Sequence, residues 1–172
     1  VQLYSDGEQW YTLDTAANVQ TVAAENIMLW MPFEETSSGT AMDISGRGHH
    51  GTHSGLAAGN IGVQGKVGRT ISFDGVDDLV TISHHADFIQ DGVWSMSFWL
   101  KTISLPNSFP GVLKKGPGNS SGAGYLVFIS QANGKLNYKR DNVTGLASVV
   151  DVATGSPLTH VAMTYSPGTL LI

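Results

Sequence analysis

Short apolar runs, each closed within a few residues by glycine, proline, asparagine or aspartate, fill the sequence from residue 27 onward. This punctuation limits the fold more than any other feature. A globular helix needs roughly 8–20 unbroken residues with a period near 3.6, whereas these runs are short and several alternate. Residues 94–101 alternate most cleanly: Trp94, Met96, Phe98 and Leu100 share one face, and Ser95, Ser97, Trp99 and Lys101 share the other. Residues 125–129 are apolar on both faces, which predicts a central strand covered on both sides. Gly134 predicts a turn into a strand over 136–140, and further strands are expected over 146–152, 158–165 and 169–172. Residues 27–33 read as a strand that ends near Pro32. Residues 66–73 and 78–83 flank Asp74-Gly75-Val76-Asp77 and read as a hairpin, because Asp-Gly tolerates the positive φ of a tight turn. With 21 glycines and only 13% charged residues, the composition agrees. The pattern implies an all-β sandwich or barrel of antiparallel strands and excludes a helical bundle.

Three segments differ in character. Residues 1–13 read as a β-hairpin around Ser5-Asp6-Gly7-Glu8 that ends a preceding domain. Residues 14–26 read as a linker with one or two helical turns behind a cap at Asp14 or Thr15. Residues 27–172 form the main domain, and the chain of 172 residues is long enough to need no covalent staple. The final apolar run, 169–172, has no terminator, so this domain is expected to be C-terminally incomplete and cut from a longer protein. Cysteine is absent, which excludes a disulfide scaffold and leaves the compartment open. A net charge of −5 without a basic run offers no footprint for nucleic acid. No apolar run reaches membrane-spanning length, so no membrane insertion is expected.

A family resemblance rests on eight segments in order. The first are Leu29-Trp30-Met31-Pro32-Phe33, Asp43-Ile44-Ser45-Gly46-Arg47-Gly48-His49-His50-Gly51-Thr52 and Gly65-Lys66-Val67-Gly68. Ser72-Phe73-Asp74-Gly75-Val76-Asp77-Asp78 and Ser95-Met96-Ser97-Phe98-Trp99-Leu100-Lys101 follow. Leu113-Lys114-Lys115-Gly116, Gly124-Tyr125-Leu126 and Thr159-His160-Val161-Ala162-Met163-Thr164-Tyr165 complete the series. Over residues 27–172 the chain thereby resembles the laminin-G-like, concanavalin A-like jelly roll of the lectin–glucanase type. The resemblance implies a two-sheet antiparallel sandwich built to bind. The opening segment is similar to the ends of domains in phage structural proteins, which implies a tail-fibre-type setting on a virion surface.

Candidate chemistry is sparse. Glycoside hydrolysis needs two carboxyls about 5–9 Å apart across a cleft. Glu34 and Glu35 are consecutive and would point to opposite faces of a strand, while Asp74, Asp77 and Asp78 share a tight turn. No Gly-x-Ser-x-Gly elbow or phosphate loop occurs, so no enzyme activity is expected within these residues. His49, His50, His53, His84 and His85 lack diagnostic metal spacing and read as solvated loop residues, and His160 reads as a core-edge residue. Asp43 precedes Ser-Gly-x-Gly, where carbonyls can turn inward to a hard cation. Relatives of the resembled fold hold structural calcium near such loops. Two readings of Asp43 stand: a calcium ligand, or a side chain that stabilises its own turn.

Trp99 lies on the polar face of its strand, where it would serve as a platform for a sugar ring or pack beneath a loop. Lys139, Arg140, Asp141 and Asn142 offer donors and acceptors for sugar hydroxyls or an acidic sugar. Residues 114–124 form a second polar, glycine-rich loop. The leading expectation is a non-catalytic module that recognises a surface glycan within a larger extracellular or virion protein. Such a protein would be a homo-oligomer in contact with other structural subunits. The alternatives are a purely structural or subunit-contact domain of a virion, and an accessory domain of a secreted glycoside hydrolase.

Overall fold

The computed structural model describes residues 2–5, 10–13, 20–21, 24–89, 92–104, 111–116, 124–140, 143–152, 155, 157–166 and 169–172. Near the N-terminus lie β1 (Gln2–Ser5), β2 (Trp10–Leu13), β3 (Gln20–Thr21), β4 (Thr40–Ala41) and β5 (Gly51–Ser54). The middle carries β6 (Ile61–Gln64), β7 (Arg69–Ile71), β8 (Leu79–Ile82), β9 (Trp94–Leu100) and β10 (Gly111–Lys115). The last five are β11 (Tyr125–Ile129), β12 (Lys135–Arg140), β13 (Val143–Asp151), β14 (Thr159–Ser166) and β15 (Thr169–Leu171). All helical turns among the described residues are short 3-10 turns, at Ala24–Asn26, Ala58–Asn60 and Ala86–Phe88. None is long and apolar enough to cross a membrane. The chain is therefore all-β, in several antiparallel sheets.

Two of these sheets share the larger core. One has the order β15-β14-β9 and the other β10-β11-β12-β13. Alternation on β9 decides what each face does. Its register with β14 sets Phe98 opposite Val161 and Met96 opposite Met163 on the inner side. Val161 and Met163 are buried with Val127, Ile129, Leu136, Tyr138 and Val152, and Trp94, Met96, Phe98 and Leu100 pack against them. The four alternating β9 residues thus face the core, as the sequence predicts. Trp94 stacks on Tyr165 in its own sheet at 5.7 Å and meets Tyr138 of the other sheet at 5.4 Å. One large ring therefore ties both layers at that end of the core. The shared core is consistent with a β-sandwich.

The predicted central strand is also present, because β11 pairs with β10 on one side and β12 on the other. The turn between β11 and β12 closes through Gly134 N–H to Ser130 O at 2.8 Å and Ser130 N–H to Lys135 O at 2.9 Å.

A smaller cluster of Leu56, Ile61 and Ile71, with Phe33 and Val80 against it, lies under β6, β7 and β8. Gly51 is needed beside it. A Cβ there would sit 2.5 Å from Val80 Cγ1, so β5 approaches its neighbour only without a side chain at that position.

Three expectations need correction. Residues 66–73 and 78–83 do not pair as a hairpin: β7 pairs with β6, and β8 pairs with β5. The Asp74 turn exists, with Val76 N–H donating to Asp74 Oδ1 at 2.7 Å and Asp74 N–H donating to Asp78 Oδ2 at 2.9 Å. It carries the chain from the β6–β7 sheet to the sheet of β4, β5 and β8, and Ile71 and Val80 on either side of it both belong to the smaller cluster. Residues 27–33 form no strand ladder. Pro32 has no N–H to give, and Phe33 adopts φ 58, outside the extended region. The expected linker contributes β3, which joins β1 and β2 in a three-stranded sheet, and its helical content among the described residues is the 3-10 turn Ala24–Asn26.

Candidate functional site

The outward face of the β9–β14 pair places an aromatic side chain in solvent. Because Phe98 points inward, Trp99 points outward, and it is 46% exposed. Directly opposite on β14 is His160, exposed because Val161 beside it faces the core. The two rings lie 5.0 Å apart at a tilt of 46°. Lys66 reaches over from the turn between β6 and β7, with Nζ 5.6 Å from the Trp99 ring centroid. That turn is closed by Gly65 N–H donating to Gly68 O at 3.0 Å. A loop therefore does approach Trp99, as one expectation held, but it leaves the ring half open. His160 is part of this surface and not a core-edge residue. The sequence shows only that Trp99 breaks a polar face. Its partners depend on strand register and on the β6–β7 turn.

Lys139 and Arg140 lie elsewhere, at the end of β12, in register with Leu126 and Tyr125 of β11. Lys139 shares the face of Leu126, opposite to the face on which Val127 and Tyr138 enter the core. The fold thus places Trp99 and Lys139 on outward faces of two different sheets, so they do not form one site. Asp141 and Asn142 lie outside the described residues, as do residues 117–123 of the second polar loop.

Asp43 is almost fully buried, with 4% of its surface exposed. Its Oδ1 accepts from Trp30 N–H at 3.0 Å and Ser45 N–H at 2.9 Å. Its Oδ2 accepts from the Ser45 hydroxyl at 2.8 Å and His49 N–H at 2.9 Å. Burial alone would raise the carboxyl pKa, but these donors outweigh it and bring it down to about 2. An ionised carboxylate has about four acceptor positions, and four protein donors fill them here. The geometry fits the turn-stabilising reading, and the residues do not fit a calcium ligand set. Glu34 and Glu35 likewise serve backbone donors: Glu34 takes Arg69 N–H at 3.1 Å and Glu35 takes Met42 N–H at 2.7 Å.

The histidines are more organised than solvated loops would be. His49 Nε2 lies 3.0 Å from Asp87 Oδ2, and His85 Nδ1 lies 3.2 Å from Asp87 Oδ1. Arg47 Nη1 donates to Asp87 Oδ2 at 3.0 Å, its Nε donates to Ile27 O at 2.9 Å, and its Nη2 donates to Glu25 O. The hydrogen bond from His49, with the charge of the Arg47 guanidinium, holds the Asp87 carboxyl below its ordinary range. His50 Nδ1 accepts from Asp43 N–H at 3.0 Å. His53 is buried on β5, and His84 Nδ1 sits 2.8 Å from Lys115 Nζ. Sequence reading missed the Asp87 cluster because its members are 38 residues apart. The local hint was His85 two residues before Asp87, where His85 Nδ1 caps the 3-10 turn by accepting from Asp87 N–H at 3.2 Å.

Compared with known proteins, the chain matches no protein family, no curated protein and no solved structure.

Proposed function

We propose that this chain is a non-catalytic carbohydrate-binding module of laminin-G-like jelly-roll type, working within a larger extracellular or virion-surface protein of fibre or adhesin kind. The observation that carries the reading is the half-open Trp99 ring, flanked by His160 and Lys66 on a rigid sheet. An indole face stacks on the apolar face of a sugar ring, and neighbouring polar groups fix its hydroxyls. Strand-borne side chains hold such a platform more firmly than loops do. Lys66 favours glycans that carry an acidic group, since its ammonium can leave the ring to meet a carboxylate. One sugar buries little area, so single-site affinity is weak and a homo-oligomeric fibre would gain strength through avidity. Asp43 enters this reading as a loop tie, and Lys139 and Arg140 as polar residues of a different sheet.

The test is a surface-glycan array probed with the chain displayed multivalently. Trp99→Ala should weaken binding roughly tenfold or more, as for a central aromatic contact, and Trp99→Tyr should retain part of it. Melting should barely change, because the ring is half exposed. Binding indifferent to Trp99→Ala would remove this site. No glycan bound by the multivalent wild type would leave the subunit-contact role.

A further inference from the structure

We propose that His49, His85 and Asp87 form a zinc-binding site. One ring nitrogen of each histidine and a carboxylate oxygen of Asp87 lie within 4.8 Å of one another. Zinc takes imidazole nitrogen and carboxylate oxygen at about 2.0–2.2 Å in a tetrahedron, whose edges are then about 3.3–3.5 Å. Each histidine nitrogen lies near that distance from a different oxygen of Asp87, His49 Nε2 3.0 Å from Oδ2 and His85 Nδ1 3.2 Å from Oδ1, so the carboxylate bridges the two rings. Closing the set on one ion takes a rotation of the carboxylate or of the exposed His85 ring.

The three ligands are also held in place before any metal arrives. His49 has its side chain 11% exposed and meets the edge of Phe88 at 4.8 Å. His85 lies 4.5 Å from His49, ring centre to ring centre. Arg47, anchored on two backbone carbonyls, holds Asp87 Oδ2, the oxygen that His49 also meets. Such outer partners orient metal ligands. Coordination through His85 Nδ1 would replace its present bond from Asp87 N–H. Two imidazoles favour zinc and its transition-metal neighbours over calcium or magnesium, which prefer all-oxygen sets. Three protein ligands leave a fourth position for water or an anionic ligand atom, and Arg47 adds positive charge beside it.

The cluster of Asp74, Asp77 and Asp78 is different. It is a turn on the surface in which the Asp74 and Asp78 carboxylates take backbone N–H groups of that same turn.

The test uses the untagged, metal-free full chain, titrated with zinc by calorimetry. Cobalt(II) serves as a spectroscopic stand-in. Expected results are one zinc per chain, cobalt absorption bands of tetrahedral type, and a zinc-dependent rise in melting temperature. His85→Ala should lower zinc affinity by at least about a hundredfold, beyond what loss of an outer partner costs. This variant keeps the fold, because the His85 side chain is 52% exposed. Asp87→Asn should do the same, and His84→Gln should change nothing. Absence of tetrahedral cobalt bands in the wild type would overturn the proposal. So would zinc affinity equal in wild type and His85→Ala.

Discussion

Asp43 joins the segment around Trp30 to the turn at 45–49 through the four hydrogen bonds its oxygens accept. Its folded pKa, about 2, lies below the ordinary 3.8. A depressed carboxyl adds stability that is complete above its unfolded pKa and is lost as pH falls through the folded one. Asp43 should therefore contribute about 2 kcal/mol near neutral pH, and this should fade between about pH 4 and pH 2. Asp43→Asn tests it by urea unfolding, because the amide nitrogen cannot accept from His49 N–H or the Ser45 hydroxyl. The variant should be less stable by about 2 kcal/mol at pH 7, and the gap should narrow below pH 3. A gap independent of pH would show that the carboxylate charge is not the cause. Added calcium should leave the wild-type melting temperature unchanged, and a rise abolished by Asp43→Ala would restore a calcium role.

The strands divide into those that hold the two-sheet core and those that sit beside it. Leu136 on β12 and Met163 on β14 are fully buried in that core. Truncating Leu136 to Ala should cost about 2–5 kcal/mol, since a close-packed site collapses only partly around a cavity. On β15 the alternation reverses within one step: Leu170 packs against the core and Leu171 is 62% exposed. Leu171→Ala should therefore stay within about 0.5 kcal/mol of wild type. Equal losses at Leu136 and Leu171 in denaturant midpoints would contradict the assigned faces.

These elements also show what a single sequence makes legible. Alternation on β9 and doubled apolarity on β11 report burial directly, since side-chain direction follows a period of two. Turn chemistry was legible too, at Gly134 and at Asp74-Gly75. Which strands a turn connects was not, because pairing partners depend on where Ile71 and Val80 find apolar contact. Trp99 stood out in the sequence as a large ring on a polar face, whereas His160 reached it only through strand register and Lys66 only through the approach of the β6–β7 turn. The His49–His85–Asp87 set was invisible because its members come together only in the folded chain. Two loops far apart in sequence meet there, and local spacing carries no trace of it.

At the scale of the molecule, two apolar clusters of unequal size support different sheets. The larger gathers seven buried residues from β11, β12, β14 and the segment at Val152, with β9 packed against them. The smaller has three, Leu56, Ile61 and Ile71. Local opening is cheapest where few apolar contacts resist it. Native-state hydrogen exchange should therefore separate the amides into classes. Those of β9, β11, β12 and β14 should exchange slowest, by global unfolding, and their protection should fall with Leu136→Ala. Amides of β6 and β7 should exchange faster, through an opening that breaks the smaller cluster alone. Ile71→Ala should speed the second class while leaving the first limited by global stability. If all these strands exchange at one rate, and Ile71→Ala moves them together, the two clusters act as one cooperative core and the division fails. The Trp99 surface lies on β9 and β14, within the slow class, so the proposed platform should stay ordered while the β6–β7 turn that carries Lys66 opens and closes above it.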